Sequence, residues 1–236
     1  RDQHLLVPLQ GSEEPGRVGC DGEAAVAREV LRRAVDVLLV LNASAYHIKK
    51  QVSRYQITHQ FVKQTGIPVI HANLVGGQDE LVFDGASFAM NRQGELTHQL
   101  QEFTETVGLV DIEDKQLISG KLAASQPSIA SIYQALCLGV RDYVRKNNFP
   151  GVLLGLSGGV DSALTLAIAV DAVGAENVKT VMMPSQYTAD ISVQDAQQMT
   201  QTMNITHYEC DIQSLFALYL TEIETAFGIP DKAMDT

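Results

Sequence analysis

The chain has 236 residues, 45% of them hydrophobic and 19% charged, the make-up of an ordinary globular protein of one large or two small domains. No apolar run reaches the length of a membrane span and no signal peptide opens the sequence, which excludes a membrane partner and predicts a cytoplasmic protein. The net charge of −11 falls mainly on the stretch from Gly151 onward, where eleven acids face only Lys179 and Lys232, so the basic stripes that nucleic-acid binding needs are missing. Cys20, Cys137 and Cys210 are far apart and odd in number, which points to a reducing compartment rather than a disulfide framework.

In chain order, Pro8, Gly11, Pro15 and Gly16 break any periodicity at the start and leave room for a short strand at Leu5–Val7. A helix is predicted over Glu23–Arg33. The apolar run Val37–Leu41 predicts a buried strand ending at Asn42-Ala43-Ser44, where side chains of layered α/β folds commonly line a site. Ile48–Gln64 reads as a helix stopped by Gly66 and Pro68, and Val69–Val75 as a second buried strand. The pattern then turns antiparallel: Leu81–Met90, the turn Asn91-Arg92-Gln93-Gly94, and a strand near Leu96–Phe103. Asp111, Glu113, Asp114, Lys115 and Gly120 make Val110–Ala124 a polar connector.

Ser125-Gln126-Pro127-Ser128 starts a helix whose apolar positions run Ile129, Ile132, Tyr133, Leu136, Cys137, Val140, Tyr143 and Val144, placing Cys137 in the core. Asn147–Gly151 ends it. Val152-Leu153-Leu154 predicts a buried parallel strand. The chain then turns through Gly155-Leu156-Ser157-Gly158-Gly159-Val160-Asp161-Ser162 into an Ala/Leu/Ile/Val helix that Gly174 can cap. A strand, a glycine turn and a helix N-terminus form an anion site, because glycine lets the backbone approach an oxyanion and the first-turn amides point at it. Ser157 and Ser162 add hydroxyls, and Asp161 puts a carboxylate where it could hold a magnesium ion shared with phosphates. No Gly-Lys-Ser/Thr follows, so this is not a Walker A loop, and GxGxxG cannot be read in register. Farther on, Val178–Met183 and Thr206–Cys210 are predicted parallel strands, which places Cys210 in the core. Ser192 and Asp195 read as a capping box for a helix to about Met203, and Ile212–Ile223 as a long amphipathic helix. Strand–helix alternation implies a doubly wound parallel sheet. The six histidines show no metal-ligand spacing.

The string SGGVDS resembles the signature of the PP-loop ATP pyrophosphatases, which cleave ATP between its α and β phosphates and adenylylate a substrate. Leu39–His47, Lys49-Lys50 and Asn73–Phe88 resemble the nitrilase-like amidase domain of glutamine-dependent NAD synthetase. Arg141–Lys146, Phe149–Gly174, Met183–Thr188 and Gly228–Ala233 look like the synthetase domain of the same family. The resemblance implies residues 1–110 as a nitrilase-like α/β layered domain, represented by its C-terminal part. Residues 111–124 become a connector and residues 125–236 a doubly wound parallel-sheet PP-loop domain. It implies the substrates deamido-NAD, ATP and glutamine or ammonia, the cofactor Mg2+ at Asp161, and a homo-oligomer in the full-length protein. Gly155, Leu156, Ser157, Gly158, Gly159, Val160, Asp161 and Ser162 bind ATP by this resemblance, with Met183 and Ser185 near the adenosine and Ser44 and Lys50 on the glutamine.

The family's nucleophile is a cysteine, and Cys20 is the only one at about the right distance; it reads either as that nucleophile or as a buried or loop cysteine. Here the family's strand-Cys-Glu-Asp run is replaced by Val18–Glu23. The chain begins at Arg1 rather than Met and ends at Asp235-Thr236. The family's general base, lysine and second acidic metal ligand are therefore expected outside it, and the chain alone is expected to turn over poorly. The rival readings are another PP-loop amidotransferase ligase, such as GMP or asparagine synthetase, and a catalytically incomplete fragment or scaffold of the same family.

Overall fold

The computed structural model describes residues 4–6, 29, 31 and 35–228, and divides the chain into two compact units, Arg1–Tyr143 and Val144–Thr236. The predicted helix over Glu23–Arg33 falls almost wholly outside the described residues, as does Cys20.

In the first unit, apolar runs form β1 (His4–Leu6) and β2 (Val37–Asn42). Helix α1 (Lys50–Thr65) follows, and ends where Gly66 takes the left-handed φ of 68° and its amide returns to the Val62 carbonyl, 2.7 Å away. Next come β3 (Val69–Asn73), β4 (Val75–Gln78), β5 (Leu81–Asp84), β6 (Phe88–Met90) and β7 (Leu96–Gln99). The sheet order is β1-β2-β3-β6-β7, parallel across the first three strands and antiparallel beyond. The strand expected over Val69–Val75 stops at Asn73. The Leu74 amide is taken by the Asn42 carbonyl and its own carbonyl by the Gly85 amide, so the chain turns there into the separate β4–β5 hairpin. Leu41 is 56% exposed although it lies in an unbroken apolar run, because only one face of β2 joins the core of Val35, Leu38, Val40, Val62, Val69, Phe88 and Met90.

The stretch expected as a plain connector carries structure of its own. β8 (Ile112–Glu113) and β9 (Gln116–Leu117) form a hairpin through Asp114 and Lys115, both at positive φ, the backbone that a tight two-residue hairpin turn demands. Lys121 and Ala123 then hydrogen-bond to the backbone of Gln99 in β7.

Helix α2 (Ser128–Lys146) buries a different stripe from the one its large apolar residues predict. Ser131, Ala135 and Leu138 are buried, whereas Ile129, Leu136 and Tyr143 are exposed and Cys137 is half-buried. The reason is close backbone packing. A Cβ added to Gly77 of β4 would lie 3.2 Å from the Gly139 Cα, and the Gly77 amide donates to the Asp142 carboxylate at 2.8 Å. Only small residues on the helix allow that approach.

The second unit alternates β10 (Val152–Gly155), α3 (Val160–Val173), β11 (Val178–Met182), α4 (Asp190–Thr202), β12 (Thr206–Glu209) and α5 (Gln213–Phe227). The three strands are parallel in the order β10-β11-β12. Leu166 and Ala169 of α3 and Ala196 of α4 pack on Val178 and Met182, so both helices cover one face of the sheet. Strand β10 is therefore not buried throughout: Leu153, on the other face of this edge strand, is 68% exposed. The capping box expected at Ser192 and Asp195 does not form. The helix begins earlier, at Asp190, with Ala189 as its N-cap, and the Ser192 amide bonds to the Ala189 carbonyl. Cys210 is exposed rather than in the core, because β12 ends at Glu209.

Candidate functional site

Two clusters, one in each unit, gather the residues that the sequence singles out. In the second unit, β10 delivers the chain to its carboxyl end, where the Leu156 amide makes a last sheet bond to the Val181 carbonyl at 2.9 Å. The Leu156 side chain is 2% exposed and anchors the turn in the core, so only its backbone can face a ligand. Gly158 then takes φ 79°, and Gly159 becomes the N-cap of α3 with no side chain capping that helix. First-turn amides without a side-chain cap are donors seeking an anion, and the helix dipole adds to their pull.

The two serine hydroxyls converge on this turn. Ser157 Oγ and Ser162 Oγ lie 3.1 Å apart, the Ser157 amide donates to Ser162 Oγ at 3.3 Å, and the Gly159 amide donates to Ser157 Oγ at 3.3 Å. Ser162 Oγ in turn donates to the Gly159 carbonyl at 2.9 Å. The hydroxyl oxygens thus accept from the turn's amides, a role that phosphate oxygens can take over. Asp161 stands exposed in the first turn of α3, and the Val160 side chain is 80% exposed. A groove of about 440 Å³ beside the turn is lined by Gly158, Gly159, Val160, Ala163, Met199 and Asp195, among others.

The loop after β11 carries the adenosine candidates. A Cβ on Gly155 would come within 3.9 Å of the Met183 methyl, so Met183 reaches the end of β10. Ser185 is fixed by bonds from its amide to Thr188 Oγ1 (3.0 Å) and from the Tyr187 amide to its Oγ (3.3 Å). Two residues without a sequence signal of their own brace this loop from α5. The Gln213 carboxamide accepts from the Gln186 amide at 2.9 Å, and Phe216 packs edge-on to Tyr187.

In the first unit, Ser44 follows the end of β2 and is half-buried. Lys50 opens α1 just downstream, its amide bonded to the His47 carbonyl at 3.0 Å, after Lys49 has turned the chain at φ 67°. Beneath Ser44 lies a cluster that the sequence reading missed. Arg54, 5% exposed, forms a two-pronged ion pair with Asp84, 2% exposed, at 2.8 Å on each prong. Arg54 Nη2 also donates to the Ser44 carbonyl (2.8 Å), Nε to Ser44 Oγ (3.3 Å) and Nη1 to Gln51 Oε1 (2.8 Å). Asn73 accepts from the Ser44 amide at 2.8 Å. A signal for this was present: Arg54, Thr58 and Val62 fall on one helical stripe, and an arginine on a core-facing stripe demands a buried acid.

His71 of β3 stacks on Phe88 nearby, with ring centroids 4.9 Å apart. Burial, and then the Arg54 guanidinium, push its pKa down to about 4, so it is neutral near pH 7. Burial also raises the Tyr46 and Tyr55 phenols, which stay protonated. No group of three or more metal-ligating side chains occurs among the described residues, and none of their helices is long and apolar enough to cross a membrane.

An α/β chain with a parallel unit that carries a glycine–serine turn at an open helix N-terminus has the kind of turn that suits an anion such as phosphate. Comparison with known proteins narrows this further. The NAD synthase family model matches residues 132–234. The glutamine-dependent NAD(+) synthetase of Acinetobacter baylyi is 42% identical over 230 residues, which cover 96% of this chain and 42% of that protein. The enzyme of the same name from Rhodobacter capsulatus is 43% identical over 75% of this chain and 33% of its own length. Among solved structures, glutamine-dependent NAD+ synthetase from Acinetobacter baumannii in complex with ADP superposes with a TM-score of 0.88. That match has 37% identity and covers 98% of this chain and 43% of the other. The chain belongs to the glutamine-dependent NAD(+) synthetase family, and it spans about two-fifths of the length of these relatives.

Proposed function

We propose that the full-length protein carrying this sequence converts deamido-NAD to NAD at the expense of ATP, with ammonia supplied by glutamine. The observation that supports this best is the turn Ser157–Ser162, whose amides and hydroxyls converge at a helix N-terminus that no side chain caps. The nucleotide in the A. baumannii relative agrees with it.

In this reading Ser157, Gly158, Gly159, Val160 and Ser162 hold the departing pyrophosphate, Gly155 and Leu156 present backbone to it, and Met183 and Ser185 lie by the adenosine. Asp161 is a single exposed carboxylate. It therefore suits Mg2+, which takes one or two protein carboxylates and completes its shell with phosphate oxygens and water. When bound, the ion neutralises phosphate charge. The nicotinate carboxylate attacks the α-phosphorus, pyrophosphate leaves, and ammonia then displaces AMP to give the carboxamide. Donors already placed around the leaving phosphates stabilise the charge that develops there. Ser44 and Lys50 contact the glutamine, and Cys20 attacks its carboxamide to release ammonia. Residues 1–110 act as the glutaminase part, 111–124 as connector and 125–236 as the synthetase part of a cytoplasmic homo-oligomer.

Two substitutions test the division of labour. Cys20→Ala abolishes NAD formation with glutamine and spares it with ammonium, whereas Asp161→Asn lowers both by about a hundredfold or more, roughly the 3 kcal/mol of a lost transition-state contact. Glutamine use that survives Cys20→Ala removes Cys20 as nucleophile. Undiminished turnover in Asp161→Asn removes Asp161 as metal ligand.

A further inference from the structure

We propose that the buried Arg54–Asp84 pair is a positioning device for Ser44, setting the direction of its hydroxyl toward the substrate amide; this rests on the reading that Ser44 contacts glutamine. A guanidinium has five N–H donors. All five are accounted for here: Nε on Ser44 Oγ, Nη1 on Gln51 Oε1 and Asp84 Oδ2, Nη2 on the Ser44 carbonyl and Asp84 Oδ1. Asn73 adds the remaining hold, accepting from the Ser44 amide and donating its Nδ2 to the Ser44 carbonyl at 3.3 Å and to Asp84 Oδ1 at 3.4 Å. Each backbone polar atom of Ser44 and its hydroxyl oxygen thus has a partner; its two partners beneath, Arg54 at 5% and Asn73 at 8% exposure, are buried, as is Asp84 at 2%, which binds both of them.

The direction of these bonds matters more than their number. Because Arg54 can only donate, Ser44 Oγ accepts from it, and the serine's own proton is left to point elsewhere. Ser44 and Gln51 are half-buried while Arg54, Asp84 and Asn73 are buried, so solvent and ligand are what that proton can reach. A carbonyl or carboxylate oxygen of the substrate is the acceptor it suits. Asp84, at the end of β5, neutralises the guanidinium and fixes its plane, while Asn73, at the end of β3, holds the loop. Arg54 and Asn73 thus reach one serine from separate elements, and Asp84, from a third, holds both. An ion pair serving stability alone would have no reason to spend two of its donors there.

The test uses the full-length protein with glutamine and with ammonium as alternative nitrogen sources. Arg54→Lys keeps the charge opposite Asp84 but removes the fork that reaches Ser44, and Ser44→Ala removes the hydroxyl directly. Asp84→Asn serves as a second route should Arg54→Lys fail to fold. The expected result is a rise of tenfold or more in KM for glutamine in both Arg54→Lys and Ser44→Ala, with ammonium-driven NAD formation retained. The double variant is expected to be little worse than either single one, because Arg54 acts through Ser44. Ser44→Ala without effect on glutamine overturns the reading of Ser44 itself. A normal Ser44 effect with additive Arg54→Lys, or with glutamine and ammonium activities falling together in both Arg54→Lys and Asp84→Asn, overturns the positioning role.

Discussion

His71 shows how a single side chain can set the pH response of a unit. It is 5% exposed, stacks on Phe88, and its buried Nδ1 has no hydrogen-bond partner among the described residues. Its pKa of about 4 lies below the ordinary 6.5, so between those values the unfolded chain takes up a proton that the folded chain refuses. The stability linked to this group is fully present above pH 6.5 and is lost as pH falls toward 4, an effect approaching about 3 kcal/mol at 1.36 kcal/mol per unit. Denaturant unfolding at pH 7 and pH 5 should show the wild type losing more stability on acidification than His71→Phe does; equal losses would show that His71 does not titrate this way. The charged pair beside it, Arg54 and Asp84, is satisfied in every donor direction, so the unpartnered Nδ1 of His71 is the polar weak point of this core among the described residues.

Among elements, the Ser157–Ser162 turn and helix α4 are joined by one close approach. A Cβ on Gly158 would sit 2.2 Å from the Ser192 carbonyl oxygen, and Gly158 also has φ 79°. Gly159 has room, with Ser157 Oγ at 3.5 Å as its nearest neighbour and φ −84°. Gly158→Ala should therefore destabilise the fold by about 2 kcal/mol or more, through overpacking and a strained backbone, whereas Gly159→Ala should cost at most about 1 kcal/mol, the loss of a tolerable N-cap. Thermal melts of the two variants compare them directly, and equal Tm losses would contradict the packing argument. Element order was largely legible in the sequence, because the apolar runs at Val37, Val69, Val152 and Val178 and the caps at Gly66 and Gly174 follow from local chemistry. What escaped depended on distant partners. The α2 core stripe turned on Gly77 meeting Gly139, the break at Leu74 on bonds to Asn42 and Gly85, and the exposure of Leu153 on which face α3 and α4 cover. The site divides the same way. The SGGVDS turn is contiguous and could be read directly, while Ser44 draws on Arg54, Asn73 and Asp84, whose pairing no local pattern prints.

At the scale of the whole molecule, the acidic balance of the second half bears on the chemistry. A net −9 from Gly151 onward, eleven acids against two lysines, offers little side-chain cation to a triphosphate. Within this stretch the donors available for the proposed phosphate recognition are backbone amides, serine hydroxyls and the partial charge at the start of α3. Under the proposed function such a site would hold the pyrophosphate end of ATP, in keeping with cleavage between the α and β phosphates. Product analysis tests that claim most directly. The full-length protein is incubated with ATP, ammonium and deamido-NAD labelled with heavy oxygen in its nicotinate carboxylate. The account predicts NAD, AMP and pyrophosphate in equal amounts, with one heavy oxygen passed to each AMP. ADP and phosphate as products, or AMP free of the label, would contradict it.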